Sequence, residues 1–139
     1  MRRAALPLVL VALAGCSREK AESLPVACQD ATAVEEAMKR APEPVEVDGR
    51  LLSECFPRDA NGGDVQLVGT TFNYVAGRLA DRRDAIRLGY LVGAARRGAE
   101  RSQSGIYAEL LRRLENELDL VDTGTPAFGA AERAGRERG

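Results

Sequence analysis

Hydrophobic positions along this chain recur mostly at helical spacing. Ala31, Val34, Ala37, Met38 and Ala41 follow one another at steps of three and four residues, which places them on one face of a helix. Thr32-Ala33-Val34-Glu35 has capping-box spacing, and Pro42 with Pro44 ends the element. Val45 to Gly49 alternates and then turns, the pattern of a brief strand or an extended linker, which Leu51, Leu52 and Phe56 would pack onto the rest. Asn61-Gly62-Gly63 is a turn signal, with Asp64 as the expected cap of the next helix. Val65, Val68, Phe72, Val75 and Leu79 then repeat at heptad-like spacing, and the thirteen residues Val65 to Gly77 carry no formal charge. A charge-free helix of this kind is expected in the middle of a bundle. The next helix spans about Arg82 to Arg101, with Ala85, Ile86, Leu88, Tyr90, Val92 and Ala95 among its apolar residues. After a turn at Ser102 to Gly105, a last helix runs from Ile106 to Leu120, with Ile106, Leu110, Leu111, Leu114 and Leu118 inside. The predicted fold class is all-α, a small four-helix bundle with short loops.

Both ends depart from this pattern. Met1-Arg2-Arg3 precedes an uncharged apolar run from Ala4 to Ala14, the charged and apolar regions of a secretory signal and too short for a stable membrane-spanning helix. Ser17 to Ala27 is polar and broken by Pro25, which suits a tether. Asp122 to Gly139 is rich in Gly, Ala and charge and contains Pro126, so it is expected to be a disordered tail. The predicted organisation is a removable leader over 1–15, a lipidated tether over 16–27, a helical domain over 28–121 and a tail over 122–139.

The apolar run ends in Leu13-Ala14-Gly15-Cys16, which resembles the lipobox of bacterial lipoproteins. The resemblance implies a diacylglyceryl group on the Cys16 thiol, cleavage after Gly15, and a mature chain held on a membrane by acyl chains that contribute roughly 0.8 kcal/mol per buried methylene. It implies the outer leaflet of the plasma membrane or, in a Gram-negative cell, the periplasmic face of the outer membrane; Ser17 lacks the Asp that would signal inner-membrane retention. The stretch Leu88 to Gly98 together with Glu109 to Leu114 is similar to small uncharacterised lipoproteins of high-GC bacteria. That similarity brings no activity with it.

Once Cys16 is assigned to lipid, Cys28 and Cys55 remain as an even pair in an exported, oxidising setting, and a structural disulfide is expected. The alternatives are a buried free thiol and a redox-active pair. Against the second, the spacing is far from Cys-x-x-Cys, and the chain has no His to activate a thiolate.

The whole chain carries 20 Lys and Arg against 21 Asp and Glu, so there is no general pull toward nucleic acid. The charge is nevertheless uneven. Arg78 to Arg113 holds nine Arg and four acidic residues, whereas Cys16 to Asp64 holds six basic and eleven acidic. Arg83, Arg87, Arg96, Arg97 and Arg101 form the candidate contact surface for an envelope protein or anionic polymer, because guanidinium forks match carboxylates and phosphates. The alternative is a solvated structural face. Gly89 and Gly93 lie four residues apart on one helical face, which fits close packing against a neighbour in the same chain or a homodimer contact.

With no His, serine–histidine and cysteine–histidine catalysis and most zinc sites are excluded. Glu35 with Glu36, and Glu115, Glu117 and Asp119, do not form an acid–base dyad by their spacing. Tyr74, Tyr90 and Tyr107 are expected in the core with buried hydroxyls. There is no P-loop and no dinucleotide-binding glycine motif, and no catalytic residue, cofactor or metal is implied. The expectation is a non-enzymatic binding or assembly module anchored to a membrane. The other reading is a small enzyme or enzyme modulator acting on envelope polymers, which would need a cleft holding two carboxyl groups.

Overall fold

In the computed structural model, residues 22–102 and 105–139 are described. The predicted leader, the lipobox with Cys16, and Gln103 and Ser104 of the predicted turn lie outside them. Five helices and one small hairpin make up the described fold: α1 Ala31–Met38, β1 Glu46–Val47, β2 Arg50–Leu51, α2 Gly62–Asp81, α3 Ala85–Glu100, α4 Ala108–Asn116 and α5 Pro126–Arg138. Single 3-10 turns occupy Val26–Gln29, Leu52–Cys55 and Glu117–Leu120.

Four of the helices start where a short polar side chain takes up N–H groups that have no partner within the helix. Asp30, not Thr32, caps α1, accepting from Thr32 N at 2.8 Å and Ala33 N at 3.3 Å. Asn61 caps α2 and Asp64 reciprocates: Asp64 N donates to Asn61 Oδ1 at 2.9 Å, and Asn61 N donates to Asp64 Oδ2 at 3.2 Å. The caps therefore lie two or three residues before the expected ones, because an Asx side chain just upstream reaches the same N–H groups. Asp84 caps α3 through Arg87 N, and Thr125 caps α5 through Phe128 N with Pro126 at the first helical position.

The alternating stretch is a hairpin rather than a linker. Val47 pairs with Arg50 and Glu46 with Leu51, across a turn in which Asp48 and Gly49 have φ of 51° and 73°, the left-handed pair that two-residue hairpin loops require. Two strands of two residues cannot stand alone. The Tyr90 hydroxyl of α3 accepts from Val45 N at 3.0 Å and fastens the hairpin to the helices.

Helix α3, not the uncharged α2, is the centre of the fold. Every residue from Leu88 to Ala95 is buried; α2, α4, α5 and the Leu52–Cys55 turn pack against it, while α1 packs on α2. On one side of it, Phe56 packs edge-on against Phe72 and Tyr107, with ring centroids 4.9 and 5.3 Å away. Absence of charge did not imply burial: α2 keeps one face in solvent, with Leu67 and Tyr74 47% and 54% exposed. Tyr74 is thus not a core residue, whereas Tyr90 and Tyr107 are.

The domain is also larger than 28–121. Upstream, Leu24 is buried and the Glu22 carboxylate accepts from Arg58 N at 3.0 Å, so the end of the predicted tether is docked. Downstream, the expected disordered tail is largely helix α5, which buries Phe128, Ala131, Ala134 and Gly135 against α3. Its Gly and Ala content, a composition that reads as disorder, is what lets the two backbones meet. The four-helix expectation therefore gives way to a mostly helical, five-helix domain.

Candidate contact surface

The five candidate arginines all belong to α3 or its flanks, and the structure does not gather them into one open anion-binding patch. Four of them donate to carbonyls at the C-terminal ends of neighbouring elements. Arg87 reaches the end of α1, with Nε to Met38 O at 3.1 Å and Nη2 to Lys39 O at 3.2 Å, while Nη1 pairs with Asp84 at 2.7 Å. Arg101 donates to Ser53 O at 2.8 Å and Phe56 O at 3.4 Å, at the end of the Leu52–Cys55 turn. Arg83 donates to Leu120 O and Arg97 to Glu137 O. Exposed helix-end carbonyls carry the negative end of the helix dipole, so a guanidinium there satisfies both a hydrogen-bond deficit and a partial charge.

The fifth, Arg96, ties three helices. Its Nε donates to Glu115 of α4 at 3.0 Å and its Nη1 to Glu132 of α5. A cleft of about 480 Å³ opens here, lined by Arg96, Glu115, Asp119, Phe128 and Glu132 among others. It does bring carboxylates together, as an envelope-polymer enzyme would need, but Glu115 and Glu132 accept from the same guanidinium. That is the geometry of an ion-pair bridge and not of two carboxyl groups facing across an empty space for substrate.

Gly89 and Gly93 also face the chain itself. A β-carbon at Gly89 would meet the Phe128 ring at 2.9 Å, and one at Gly93 would collide with Glu132 O and lie 2.9 Å from Arg136 N. The contact is reciprocal, since Gly135 lies against Tyr90 O and a β-carbon at Gly139 would be 2.7 Å from Ala94 Cβ. Of the two readings of this face, the structure carries packing within one chain, with α5 covering it. The signal was present in the sequence: Gly135-x-x-x-Gly139 repeats the spacing of Gly89-x-x-x-Gly93, and Thr125-Pro126 marks a helix start.

Cys28 and Cys55 form the expected disulfide, with Cα atoms 5.5 Å apart and both residues fully buried. Among the described residues no group of His, Cys, Asp and Glu could hold a metal ion, and no helix is long and apolar enough to cross a membrane.

Sequence reasoning missed a groove between α2 and α4. It has a volume of about 520 Å³ and is lined by Gln66, Gly69, Thr70 and Asn73 of α2 and by Glu109, Leu110 and Arg113 of α4. Glu109 accepts from Arg112 at 2.8 and 2.9 Å and from Arg113 at 2.9 Å, and these hydrogen bonds hold its carboxyl at about 2. At neutral pH the groove thus contains an ionised carboxylate paired with two guanidinium groups, unsuited to donating a proton.

No protein-family model matches the chain, and no curated protein or solved structure matches it.

Proposed function

We propose that this chain is a lipid-anchored protein of the bacterial cell envelope whose small helical domain is a non-enzymatic binding or assembly module. The reading is carried by the cysteines. Leu13-Ala14-Gly15-Cys16 follows a charged and then apolar leader, and the Cys28–Cys55 bridge leaves Cys16 as the one cysteine outside a pair. A buried disulfide supports folding outside the reducing cytoplasm. The module reading is supported by the fate of the polar side chains, since the arginines and carboxylates with the most chemical potential bind one another or backbone carbonyls.

The experiment is expression of the full chain and of Cys16→Ser in a bacterial host, with fractionation and intact mass. The expected outcome is a membrane-bound product whose N-terminal residue is acylated Cys16, and an uncleaved precursor for Cys16→Ser. A mature N-terminus elsewhere without lipid would overturn the reading.

A further inference from the structure

We propose that the exposed face of α2 is a self-association surface that pairs antiparallel with α2 of a second copy of this chain. Gly63, Leu67, Thr70, Tyr74, Gly77 and Asp81 follow one another at steps of four and three. They form one stripe about 27 Å long on the helix surface. All but half-buried Gly77 are exposed. The large apolar side chains exposed among the described residues are Val26, Leu67, Tyr74 and Leu120, and two of them stand in this stripe, two helical turns apart. Neither α1 nor α4 covers them.

The choice of a second copy over another partner rests on complementarity of the stripe with itself. The uncharged stretch Val65 to Gly77 is bracketed by Asp64 at one end and Arg78 at the other. A partner of either net charge finds no countercharge between them. In an antiparallel pair with its two-fold axis near Thr70 and Thr71, Leu67 faces the partner's Tyr74 twice, and Asp64 comes beside the partner's Arg78 on both flanks. The two helix dipoles also oppose each other. Arg78 pairs with Glu35 of α1 at 3.1 Å and lies over the Tyr74 ring, 5.7 Å from its centroid, so it is held at the edge of the stripe, where the partner's Asp64 would join an existing ion pair. Gly63, Thr70 and Gly77 are small enough to let the backbones approach, and the α2–α4 groove lies alongside to receive side chains of the partner. One helix face buries less than the roughly 800 Å² per partner of a standard interface, which sets the expected dissociation constant in the micromolar range.

The test is sedimentation velocity over a concentration series, on a chain starting at Ser17, which retains all the described residues and lacks both leader and lipid site. The readout is therefore independent of anchoring. The variants are Leu67→Asp, Tyr74→Lys and the two combined, all at exposed positions, with circular dichroism to verify folding. The expected result is a reversible dimer, weakened about tenfold or more by either single change, and strengthened again in the double variant, where the introduced carboxylate of each copy would face the introduced ammonium of the other across the axis. A monomer at every concentration overturns the proposal and leaves the face to solvent or another partner. A dimer indifferent to Leu67→Asp, or a double variant no better than the singles, overturns the antiparallel pairing.

Discussion

Gly93 of α3 lies directly against the backbone carbonyl of Glu132 in α5, with no space for a β-carbon between them. The substitution Gly93→Ala would ordinarily strengthen a helix by about 1 kcal/mol. Here it must push α5 away, and we expect a net loss of about 1–3 kcal/mol together with rapid amide exchange over Pro126–Arg138. Gly69 is the contrast. A β-carbon there meets only Leu110 Cδ1, at 3.6 Å, so Gly69→Ala is expected to raise stability by about 0.5–1 kcal/mol. Urea unfolding of the two variants checks both signs.

Arg101 should behave as a cap and not as a ligand-binding residue. Replacing it by Met keeps much of its apolar stem but strips the Phe56 carbonyl of its guanidinium donor and leaves the Ser53 carbonyl with Phe56 N alone. Each buried group left unpaired costs about 1–3 kcal/mol. Arg101→Lys, with a single ammonium in place of a fork, should recover only part of this. Thermal unfolding of the pair gives the ranking. Equal stability of Arg101→Met and the parent chain would count against the capping role.

The Cys28–Cys55 bridge closes a separation of 27 residues, for which chain entropy gives about 3–4 kcal/mol. Cys28→Ala with Cys55→Ala should lose about that much. Because both residues are fully buried, the native protein should resist reductant until it unfolds. Thiol labelling during a denaturant titration, with and without reductant, reads both effects.

Tyr107 donates to Pro57 O at 2.6 Å, and burial pushes its phenol up well above the ordinary tyrosine value. Burial also raises Tyr90. The unfolded chain therefore releases these protons first. Their stabilising effect is complete below pH of about 10 and is lost as pH rises from there toward the folded values. Tyr107→Phe should cost about 1 kcal/mol at neutral pH and make the alkaline decline shallower. Denaturation midpoints at neutral and alkaline pH test this, and an unchanged alkaline slope would refute it.

Much of the local structure was legible in the chain. The three- and four-residue steps located α1 to α4 to within a few residues, because each of those helices buries a face of large apolar side chains that hydropathy registers. The cysteine count anticipated the bridge. Glycine-rich α5 escaped because its docking surface is backbone: Gly89, Gly93, Gly135 and Gly139 contribute close approach and few apolar atoms. The candidate arginines stand out in the sequence as an unusual cluster, yet their targets could not be inferred. A guanidinium on a long stem can reach solvent, a carboxylate or a distant helix end, and Met38, Ser53, Leu120 and Glu137 lie far from their arginines along the chain.

The sequence by itself located four of the five helices to within a few residues and left Cys28 and Cys55 as a pair, since these depend on side chains a few residues apart or on counting. Only the tertiary structure decided that α3 rather than α2 is central, that the tail folds back onto it, and that the basic cluster caps its neighbours' ends. Those outcomes depend on which surfaces meet, and helical periodicity specifies a face without specifying what covers it.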